Sequence, residues 1–354
     1  MTSVHVPLHF GYDILIGSGI INLAGEKSRN LFKSAQTAAI ITDNNVGELY
    51  LPPVINSLQK AGFNTLTYSI TPGENSKNPD EYVKLANWLA KSRLSSSDII
   101  IALGGGVVGD LAGFAAATYL RGLAYVQIPT SLLAMVDSSV GGKTAINLNA
   151  GKNLLGAFHQ PSLVLSDTDT LNTLPEPVFN DGMAEVIKYA MISDASLLKR
   201  LLQTDCKSEL LHIITICTGI KRDIVTKDEF DKGERKLLNF GHTLGHAIEL
   251  LSNYTISHGA AVSVGMTIIT KAAVKKALCP QESLYVLEKL LSKYALSCGT
   301  KFSAQELFNA ALNDKKRQGC HITIVVPTAL GRCELMKIPS DSLLDWIETG
   351  LGFE

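Results

Sequence analysis

One glycine-rich stretch constrains the fold of this chain more than any other feature. LGGGVVGDLAGF (103–114) places Gly104, Gly106 and Gly109 in G-x-G-x-x-G spacing, after an apolar run and before a helical pattern. Glycines at this spacing let backbone N–H groups approach a phosphate at a helix start, where partial positive charge favours anions. The spacing predicts a strand–turn–helix unit that binds a nucleotide phosphate; a turn that only packs tightly is the alternative.

Short β-branched runs alternate with helical patterns around this turn. The runs predict strands at 37–44, 64–71, 98–103 and 124–130, with helices at 80–91 and 109–120. Such alternation is typical of parallel strands joined by crossover helices, which form an α/β domain. No Asp or Glu follows the glycine turn at the distance where a dinucleotide ribose is usually bound. Asp43 and the polar turn 73–77 are therefore the alternatives for that role.

The second half of the chain has a different pattern. Apolar residues recur at helical spacing in the segments 178–192, 209–227, 241–251, 260–277 and 281–294. Two prolines punctuate the segment LPEP (174–177), where we expect a domain boundary. The 354 residues, 46% of them hydrophobic, suffice for two cores. We expect an NAD-binding α/β domain at 1–174 and an α-helical metal- and substrate-binding domain at 175–354.

Charge and cysteine content exclude several classes of partner. The 32 basic and 33 acidic residues give a net charge of −1, without the basic excess that nucleic acid or an anionic membrane surface attracts. The six cysteines have no C-x-x-C spacing, which predicts reduced and mostly buried thiols. The N-terminus has no signal-peptide pattern, and no uncharged apolar run approaches about 18 residues. We expect a soluble, cytoplasmic protein.

Three of the eight histidines, His242, His246 and His258, lie close together in the sequence. His242 and His246 are four residues apart and share a helix face, a spacing suited to chelating a metal. Thr243 stands where H-E-x-x-H proteases have their glutamate, which argues against peptide hydrolysis. The carboxylate partner is expected from Glu249 or Glu185. Hydrogen-bonded core histidines without a metal are the alternative.

Several cationic side chains lie in apolar surroundings. Lys143, Lys152 and Lys188 have small or apolar neighbours, and Asn153 and Arg121 add further donors. Lysine is rarely buried without a partner, and phosphates and carboxylates need charge-assisted donors, so the set predicts an anion pocket. A dinucleotide, a divalent metal and an anionic small substrate would together serve a metal-dependent alcohol oxidation by NAD.

Several blocks of sequence, in order, resemble the 3-dehydroquinate synthase family of sugar phosphate cyclases. They include PGENSK (72–77), GGGVVGDLAGF (104–114), VDSSVGGKTAINLNAGKNLLGAF (136–158), GMAEVIKYA (182–190) and LLNFGHTLGHAIE (237–249). The resemblance implies a Rossmann-like N-terminal α/β domain and a mostly α-helical C-terminal metal-binding domain. It also implies NAD, Zn²⁺ (Co²⁺ in some members) and a homodimer.

The resemblance implies conversion of 3-deoxy-D-arabino-heptulosonate 7-phosphate to 3-dehydroquinate and phosphate, a lyase step of the shikimate pathway. NAD would oxidise the substrate transiently, phosphate would leave, and reduction, ring opening and intramolecular aldol closure would follow. A related cyclase resembling 2-deoxy-scyllo-inosose synthase and a metal-dependent polyol dehydrogenase are the alternative enzymes. A binding module for NAD or a sugar phosphate is the alternative outside enzymes.

The resemblance also implies roles for individual residues. The metal ligands would be Glu185, His242 and His258, which makes His246 a proton-transfer and substrate-binding residue. The other catalytic residues would be Lys188, Asp137, Arg235 and Asn239. Further substrate contacts would come from Arg121, Lys143, Lys152, Asn153, Lys221 and one of Lys315 and Lys316. The NAD site would comprise Asp43, Asn45, Glu74, Lys77, Gly105, Gly106, Gly109, Asp110, Thr130, Ser131, Thr170 and Thr173.

The chain departs from the family pattern at a few positions. Pro177 and the following valine replace Arg-Glu, and Asp231 ends a motif that usually reads D-E-x-E. Ser131 and His159 replace a common Thr and Tyr. Ala260 replaces the glutamate that usually follows His-Gly at the third ligand, which removes an expected partner of the metal-binding residues.

Overall fold

A computed structural model of the protein describes residues 1–315 and 320–353, and for 313–315 it describes the backbone alone. The chain forms two compact units. The first is Met1–Pro175 with Ile214–Thr226, and the second is Glu176–Ile213 with Lys227–Glu354. The expected α/β and mostly helical classes are confirmed. The functional division at residue 174 stays a prediction, and residues 214–226 group with the first unit.

The first unit contains a large sheet, a hairpin and helices. Its strands are β1 (Thr2–Val6), β2 (Tyr12–Gly17), β3 (Thr37–Asp43), β4 (Asn64–Ile70), β5 (Ile99–Gly104), β6 (Ala124–Pro129), β7 (Lys143–Leu148), β8 (Gly151–Phe158) and β9 (Leu163–Asp167). Its main helices are α1 (Ala24–Leu31), α2 (Asn44–Lys60), α3 (Pro79–Lys91) and α4 (Gly106–Thr118). The four strands and two helices predicted here are confirmed, with small shifts at their ends.

The order of the strands places the glycine turn, which follows β5, inside the sheet next to the middle strand β6. The order is β1-β2-β9-β6-β5-β3-β4, and all neighbours are parallel except β1 and β2. From β3 the chain proceeds to β4 at one edge, and from β5 it proceeds through β6 to β9 in the other direction. The topological switch point therefore lies between β3 and β5, where open α/β sheets bind ligands at the carboxyl ends of the strands.

Both faces of this sheet are covered. Successive side chains of a strand point to opposite faces, and the inner strands β3 and β5 are buried almost throughout. Ile41 of β3 packs in one core with Leu85 of α3 and Leu111 of α4. The adjacent Ile40 packs in a second core with Leu58 of α2. Burial on both faces explains why these strands have continuous apolar sequences.

The second half of the chain is mostly helical. Its helices are α5 (Glu176–Ser193), α6 (Ala195–Gln203), α7 (Leu210–Lys227), α8 (His242–Leu251), α9 (His258–Lys275), α10 (Gln281–Lys293), α11 (Ala304–Lys315) and α12 (Ser342–Leu351). All five predicted helices are confirmed. An antiparallel hairpin of β10 (His321–Ala329) and β11 (Arg332–Pro339) was not predicted.

Glycines allow α9 to lie against both α8 and α5. A methyl group on Gly265 would lie 2.1 Å from the carbonyl oxygen of Gly241, the residue before α8. A methyl group on Gly259 would lie 2.2 Å from the carbonyl oxygen of Asp181 in α5. Any side chain at either position would push these helices apart. The close approach matters because α5, α8 and α9 carry the three predicted metal ligands.

The structure shows the state of the cysteines and whether any described helix could cross a membrane. Four of the six cysteines are buried and all are free thiols, which confirms the prediction of mostly buried, unpaired cysteines. Within residues 1–315 and 320–353, no helix has the length and apolar character needed to cross a membrane.

Candidate metal centre and nucleotide site

The side chains of Glu185, His242 and His258 converge in the second unit. Oε1 of Glu185 lies 3.6 Å from Nε2 of His242 and 3.4 Å from Nε2 of His258. One ligand atom from each residue lies within 4.8 Å of the other two. Metal–ligand bonds of about 2.0–2.2 Å in tetrahedral geometry hold ligand atoms about 3.3–3.5 Å apart. The three residues therefore fit a zinc-like ion.

Each imidazole is oriented through its other nitrogen. Nδ1 of His258 lies 3.2 Å from Oε2 of Glu249, and Nδ1 of His242 lies 3.1 Å from the carbonyl oxygen of Phe240. A carboxylate and a carbonyl only accept hydrogen bonds, so both Nδ1 atoms donate. Both Nε2 atoms then face Glu185, and in the neutral form that a metal ligand needs each carries a lone pair. Partners of this kind fix the tautomer and orientation of metal-binding histidines.

The electrostatics of the cluster favour a cation. Burial opposes the charge on His258, but hydrogen bonds and charge from Glu185 and Glu249 outweigh it and raise the pKa of His258 to about 10. Burial lowers the pKa of His242 to about 3, although the charge of Glu185 opposes this. The Glu185 side chain is fully buried and Glu249 is 3% exposed. Two such carboxylates need positive charge beside them.

A second combination of ligand atoms, from His246, Glu249 and His258, also lies within 4.8 Å. In this group, Nδ1 of His258 and Oε2 of Glu249 already form a hydrogen bond with each other. His246 is exposed, and its ring centroid lies 5.6 Å from that of His242. The two Nε2 atoms facing Glu185 therefore favour the first combination. The sequence left both Glu185 and Glu249 as possible carboxylate ligands. In the structure, Glu185 has the geometry of a ligand, and Glu249 supports the ligand His258.

Other predicted catalytic residues of the second unit lie on the same or nearby elements. Lys188 lies one turn after Glu185 in α5, is 1% exposed and forms an ion pair with Oε2 of Glu185. Arg235 is buried, and its guanidinium donates to the carbonyl oxygen of Glu229. Asn239 is partly buried and ends the short 3₁₀ turn Glu234–Asn239 just before α8.

Five further substrate and catalytic residues, Asp137, Lys143, Lys152, Asn153 and Lys221, lie in the first unit. Lys221, in the middle of α7, forms an ion pair with the carboxylate of Asp137 and donates to its carbonyl oxygen at 2.7 Å. Lys143 begins β7, while Lys152 and Asn153 lie at the start of β8. The structure thus places these three on one hairpin.

Three predicted residues lie apart from these groups or beyond the side chains that are described. Arg121 follows α4, is exposed and has a positive φ of 69°. Only the backbone of Lys315 is described, and Lys316 lies outside the described residues.

The predicted NAD residues share one edge of the large sheet. They follow the carboxyl ends of five parallel strands: Asp43 and Asn45 after β3, Glu74 and Lys77 after β4, Gly105, Gly106, Gly109 and Asp110 after β5, Thr130 and Ser131 after β6, and Thr170 and Thr173 after β9. The N–H of Thr130 donates to the carbonyl oxygen of Gly104, which ties the β6 end to the glycine turn. The hydroxyl of Thr170 is buried and donates to Asp167.

An ion-pair network lies beside the glycine turn. Nζ of Lys77 lies 2.8 Å from Oδ2 of Asp110 and 3.2 Å from Oε1 of Glu74. Burial opposes the charge on Lys77, but the carboxylates of Asp110 and Glu74 outweigh it and raise the pKa of Lys77. Lys77 therefore stays protonated next to the start of α4, where the carboxylates of Asp110 and Glu74 balance its charge.

Two supporting residues, Asp181 and Asn147, were not recognised from the sequence, and Glu249 was recognised only as a candidate metal ligand. Oδ1 of Asp181 accepts hydrogen bonds from the N–H groups of Gly259 at 2.7 Å and Ala260 at 3.2 Å. Asn147 contacts both Glu74 and Asn153, and Glu249 supports His258. The contacts of Asp181 with Gly259 and of Asn147 with Glu74 join residues that are far apart in the sequence. The role of Glu249 depends on which ring nitrogen of His258 it contacts. No local pattern signals them.

Comparisons with known proteins agree along most of the chain. Residues 67–181 match the family model "3-dehydroquinate synthase N-terminal", and residues 182–317 match "3-dehydroquinate synthase C-terminal". The 3-dehydroquinate synthase of Enterococcus faecalis (strain OG1RF) is 43% identical over 347 residues, which cover 96% of each chain.

Two solved structures share the fold. One is 2-deoxy-scyllo-inosose synthase complexed with carbaglucose-6-phosphate, NAD⁺ and Co²⁺, with a TM-score of 0.86, 24% identity, and coverage of 99% of this chain and 100% of that one. The other is 2-epi-5-epi-valiolone synthase from Streptomyces hygroscopicus with NAD⁺ and Zn²⁺ bound, with a TM-score of 0.85, 22% identity and 96% coverage of each chain. The two family models match consecutive segments that together span residues 67–317, and the Enterococcus faecalis relative covers 96% of the chain. This chain therefore belongs to the 3-dehydroquinate synthase family.

Proposed function

We propose that this protein is a 3-dehydroquinate synthase that converts 3-deoxy-D-arabino-heptulosonate 7-phosphate to 3-dehydroquinate and phosphate. The observation that carries the proposal is the convergence of Glu185, His242 and His258 in a chain of this family. Two imidazoles and one carboxylate are a ligand set of catalytic zinc sites, which keep a coordination position open for a substrate oxygen. The proposed metal is Zn²⁺, with Co²⁺ as the alternative, and the proposed dinucleotide is NAD.

When bound, the metal would lower the pKa of a substrate hydroxyl, and NAD would take up and return a hydride. The ligands Glu185, His242 and His258 would hold the metal. The residues that follow the carboxyl ends of β3, β4, β5, β6 and β9, Lys77 among them, would hold NAD. Because the hydride returns in each cycle, the overall reaction needs no external oxidant.

Charged residues of the chain have roles in binding the substrate. Lys152, Asn153 and Arg235, together with His246, would bind the phosphate through charge-assisted hydrogen bonds. Lys188 and Asp137 would orient the hydroxyl groups, since each is held in place by an ion pair, with Glu185 and Lys221 respectively. Arg235 is buried, so its fixed charge is a strong contribution to anion binding.

The bond that breaks makes the reaction a carbon–oxygen lyase step. Oxidation at carbon 5 acidifies the proton on carbon 6, which leaves as the C–O bond to phosphate breaks. His246 is exposed near the metal ligands and would move protons at this stage, and the departing phosphate would assist. Reduction, ring opening and aldol closure then give 3-dehydroquinate. Substrate equals product plus phosphoric acid, so atoms and electrons balance.

The proposal includes a homodimer, supported by the family resemblance. Arg121 is exposed, as a residue that reaches a partner's substrate phosphate must be. Light scattering coupled to gel filtration would measure the oligomeric state. A monomer at working concentrations that retains full activity would contradict this part of the proposal.

The decisive experiment incubates the purified protein with the heptulosonate phosphate, NAD⁺ and Zn²⁺. Phosphate, 3-dehydroquinate and NADH are followed together. We expect equal amounts of the first two and no net NADH, whereas a polyol dehydrogenase would accumulate NADH and a different cyclase would leave this substrate unchanged. Glu185→Gln should lose bound metal and phosphate release together. Glu288→Gln, which alters a surface ion pair with Lys271, is the matched control.

A further inference from the structure

One amide side chain joins the turn assigned to NAD with the hairpin assigned to the substrate. Asn147 lies near the end of β7, and its Nδ2 donates a 2.7 Å hydrogen bond to Oε1 of Glu74. Its Oδ1 accepts a 2.9 Å hydrogen bond from the backbone N–H of Asn153. Its own N–H donates to the carbonyl oxygen of Lys77 at 2.8 Å. A single residue thus contacts both segments through three hydrogen bonds.

On the nucleotide side, the contacts continue to the glycine turn. Glu74 lies 3.2 Å from Nζ of Lys77, which lies 2.8 Å from Oδ2 of Asp110. Asp110 is in the first part of α4, the helix that begins in the glycine turn. The Lys77 side chain is 5% exposed, so water does not readily replace these partners. Any ligand that orders Lys77 also restricts Glu74 and, through it, the amide of Asn147.

On the substrate side, the contact is made to an exposed residue near the start of β8. Asn153 has a φ of 56°, in the left-handed region that few residues other than glycine and asparagine adopt readily. Its side chain is exposed, so core packing does not fix this conformation. The hydrogen bond from its N–H to Asn147 helps to hold it, together with the pairing of β7 and β8. Lys152 and Asn153, which we assign to the substrate phosphate, therefore depend on the position of Asn147.

We propose that Asn147 is a positioning residue that couples NAD binding to phosphate binding. The inference rests on the proposed function, which assigns Glu74 and Lys77 to NAD and Lys152 and Asn153 to the phosphate. A ligand that orders one segment lowers the entropic cost of ordering the other, because both are held by the same amide group. The coupling is reciprocal, so each ligand must strengthen binding of the other by the same factor.

Calorimetric titration of the purified full-length protein with NAD⁺, with and without inorganic phosphate, measures this factor. We expect phosphate to increase the NAD⁺ affinity of the wild type by about fivefold or more. In Asn147→Ala the factor should fall below about twofold. Titration with phosphate, with and without NAD⁺, should return the same factors for both proteins. The coupling factor separates positioning from a purely structural role, which would lower the thermal midpoint and leave the factor unchanged.

Asn147→Asp is the second variant. It keeps an oxygen for the N–H of Asn153 but places a second carboxylate against Glu74, so it should also lose the coupling. Asn309→Ala is the matched control, because it removes an exposed asparagine that only accepts a hydrogen bond from Gln305 in α11. It should keep the wild-type factor.

Equal coupling factors in the wild type and Asn147→Ala would overturn the inference. The inference would also be overturned if the wild type binds NAD⁺ and releases phosphate from the substrate but shows no coupling. In that case the proposed function would still stand. A wild type that fails to bind NAD⁺ at all would reject both the inference and the proposed function.

Discussion

Replacing Glu249 tests how the metal ligands are held. Its carboxylate lies 3.2 Å from Nδ1 of His258, on the side of the ring away from the Nε2 that faces Glu185. Glu249→Ala removes this partner without touching a predicted ligand. We expect His258 to lose its fixed orientation and the site to bind metal more weakly. Glu249→Gln keeps an oxygen at the same distance along the side chain and should lose less affinity.

The expected magnitude follows from the burial of this contact. Loss of a partner that orients a metal-binding histidine typically costs about 10- to 100-fold in affinity, or about 1.4–2.7 kcal/mol. The free-energy cost of leaving a buried hydrogen-bond donor without its acceptor, about 1–3 kcal/mol, is of the same size. The Glu249 side chain is 3% exposed, so water does not easily take its place. Glu249→Ala should therefore weaken metal binding by about 30-fold or more, and Glu249→Gln by less than about tenfold.

Competition with a fluorescent zinc chelator measures this affinity without relying on enzyme activity. Thermal unfolding of the metal-free variants shows whether any loss comes from general destabilisation. Glu288→Gln on α10 is the control, since it changes a half-exposed glutamate that pairs with Lys271. If Glu249→Ala binds zinc as tightly as the wild type, the carboxylate does not orient His258 and the account of the site is wrong.

Three further predictions concern other parts of the structure. Gly265→Ala forces α8 and α9 apart and should lower the free energy of unfolding by about 2 kcal/mol in denaturant unfolding. The control is Gly219→Ala in α7, where a methyl group meets nothing within 4 Å and should not destabilise the protein. Equal effects of the two substitutions would contradict the close packing of α8 and α9. Burial opposes the charge on Asp98, but hydrogen bonds from Ser95, Thr37 and Gln36 outweigh it and lower the pKa of Asp98. The ionised Asp98 therefore stabilises the fold fully above the unfolded pKa of about 3.9, and this stabilisation is lost as pH falls through the folded pKa. Asp98→Asn should lower the free energy of unfolding by about 1–3 kcal/mol at pH 7, and this difference should shrink below pH of about 4. A difference that stays constant with pH would refute this role of Asp98. Cys320 is exposed, while burial raises the pKa of Cys333. A thiol reagent at neutral pH should therefore label Cys320 first. Faster labelling of Cys333 would contradict the burial of its side chain.

The parts of the fold that the sequence predicted are those with strong periodic patterns. The buried strand β5 and the long helices α5 and α9 have apolar runs or helical spacing that few other structures satisfy. Helix α2 was not predicted, and it contains Pro52 and Pro53, which lack backbone donors. The short hairpins were missed because alternation over a few residues gives a weak signal. The grouping of 214–226 with the first unit depends on tertiary packing alone.

The site shows a similar division between pattern and packing. Spacing in the sequence identified His242 and His246 as residues on one helix face, but it could not show which ring nitrogen faces which neighbour. It left both Glu185 and Glu249 open as the carboxylate partner. Only the positions of α5, α8 and α9 separate these roles, because Glu185 faces two Nε2 atoms and Glu249 faces one Nδ1. Spacing alone therefore cannot distinguish a supporting residue from a ligand, although the family resemblance implied Glu185 as the ligand.

The alanine at position 260 is consistent with an intact metal site because other carboxylates lie where support is needed. Position 260 is in the first turn of α9, where an acidic side chain would interact with unsatisfied N–H groups and the helix dipole. Here Asp181 of α5 accepts hydrogen bonds from the N–H groups of Gly259 and Ala260, and Ser257 makes no side-chain cap. Asp181 precedes Glu185 by one helical turn, so this contact fixes His258 relative to Glu185. Glu249 then orients the His258 ring, and the departure from the family pattern removes neither form of support.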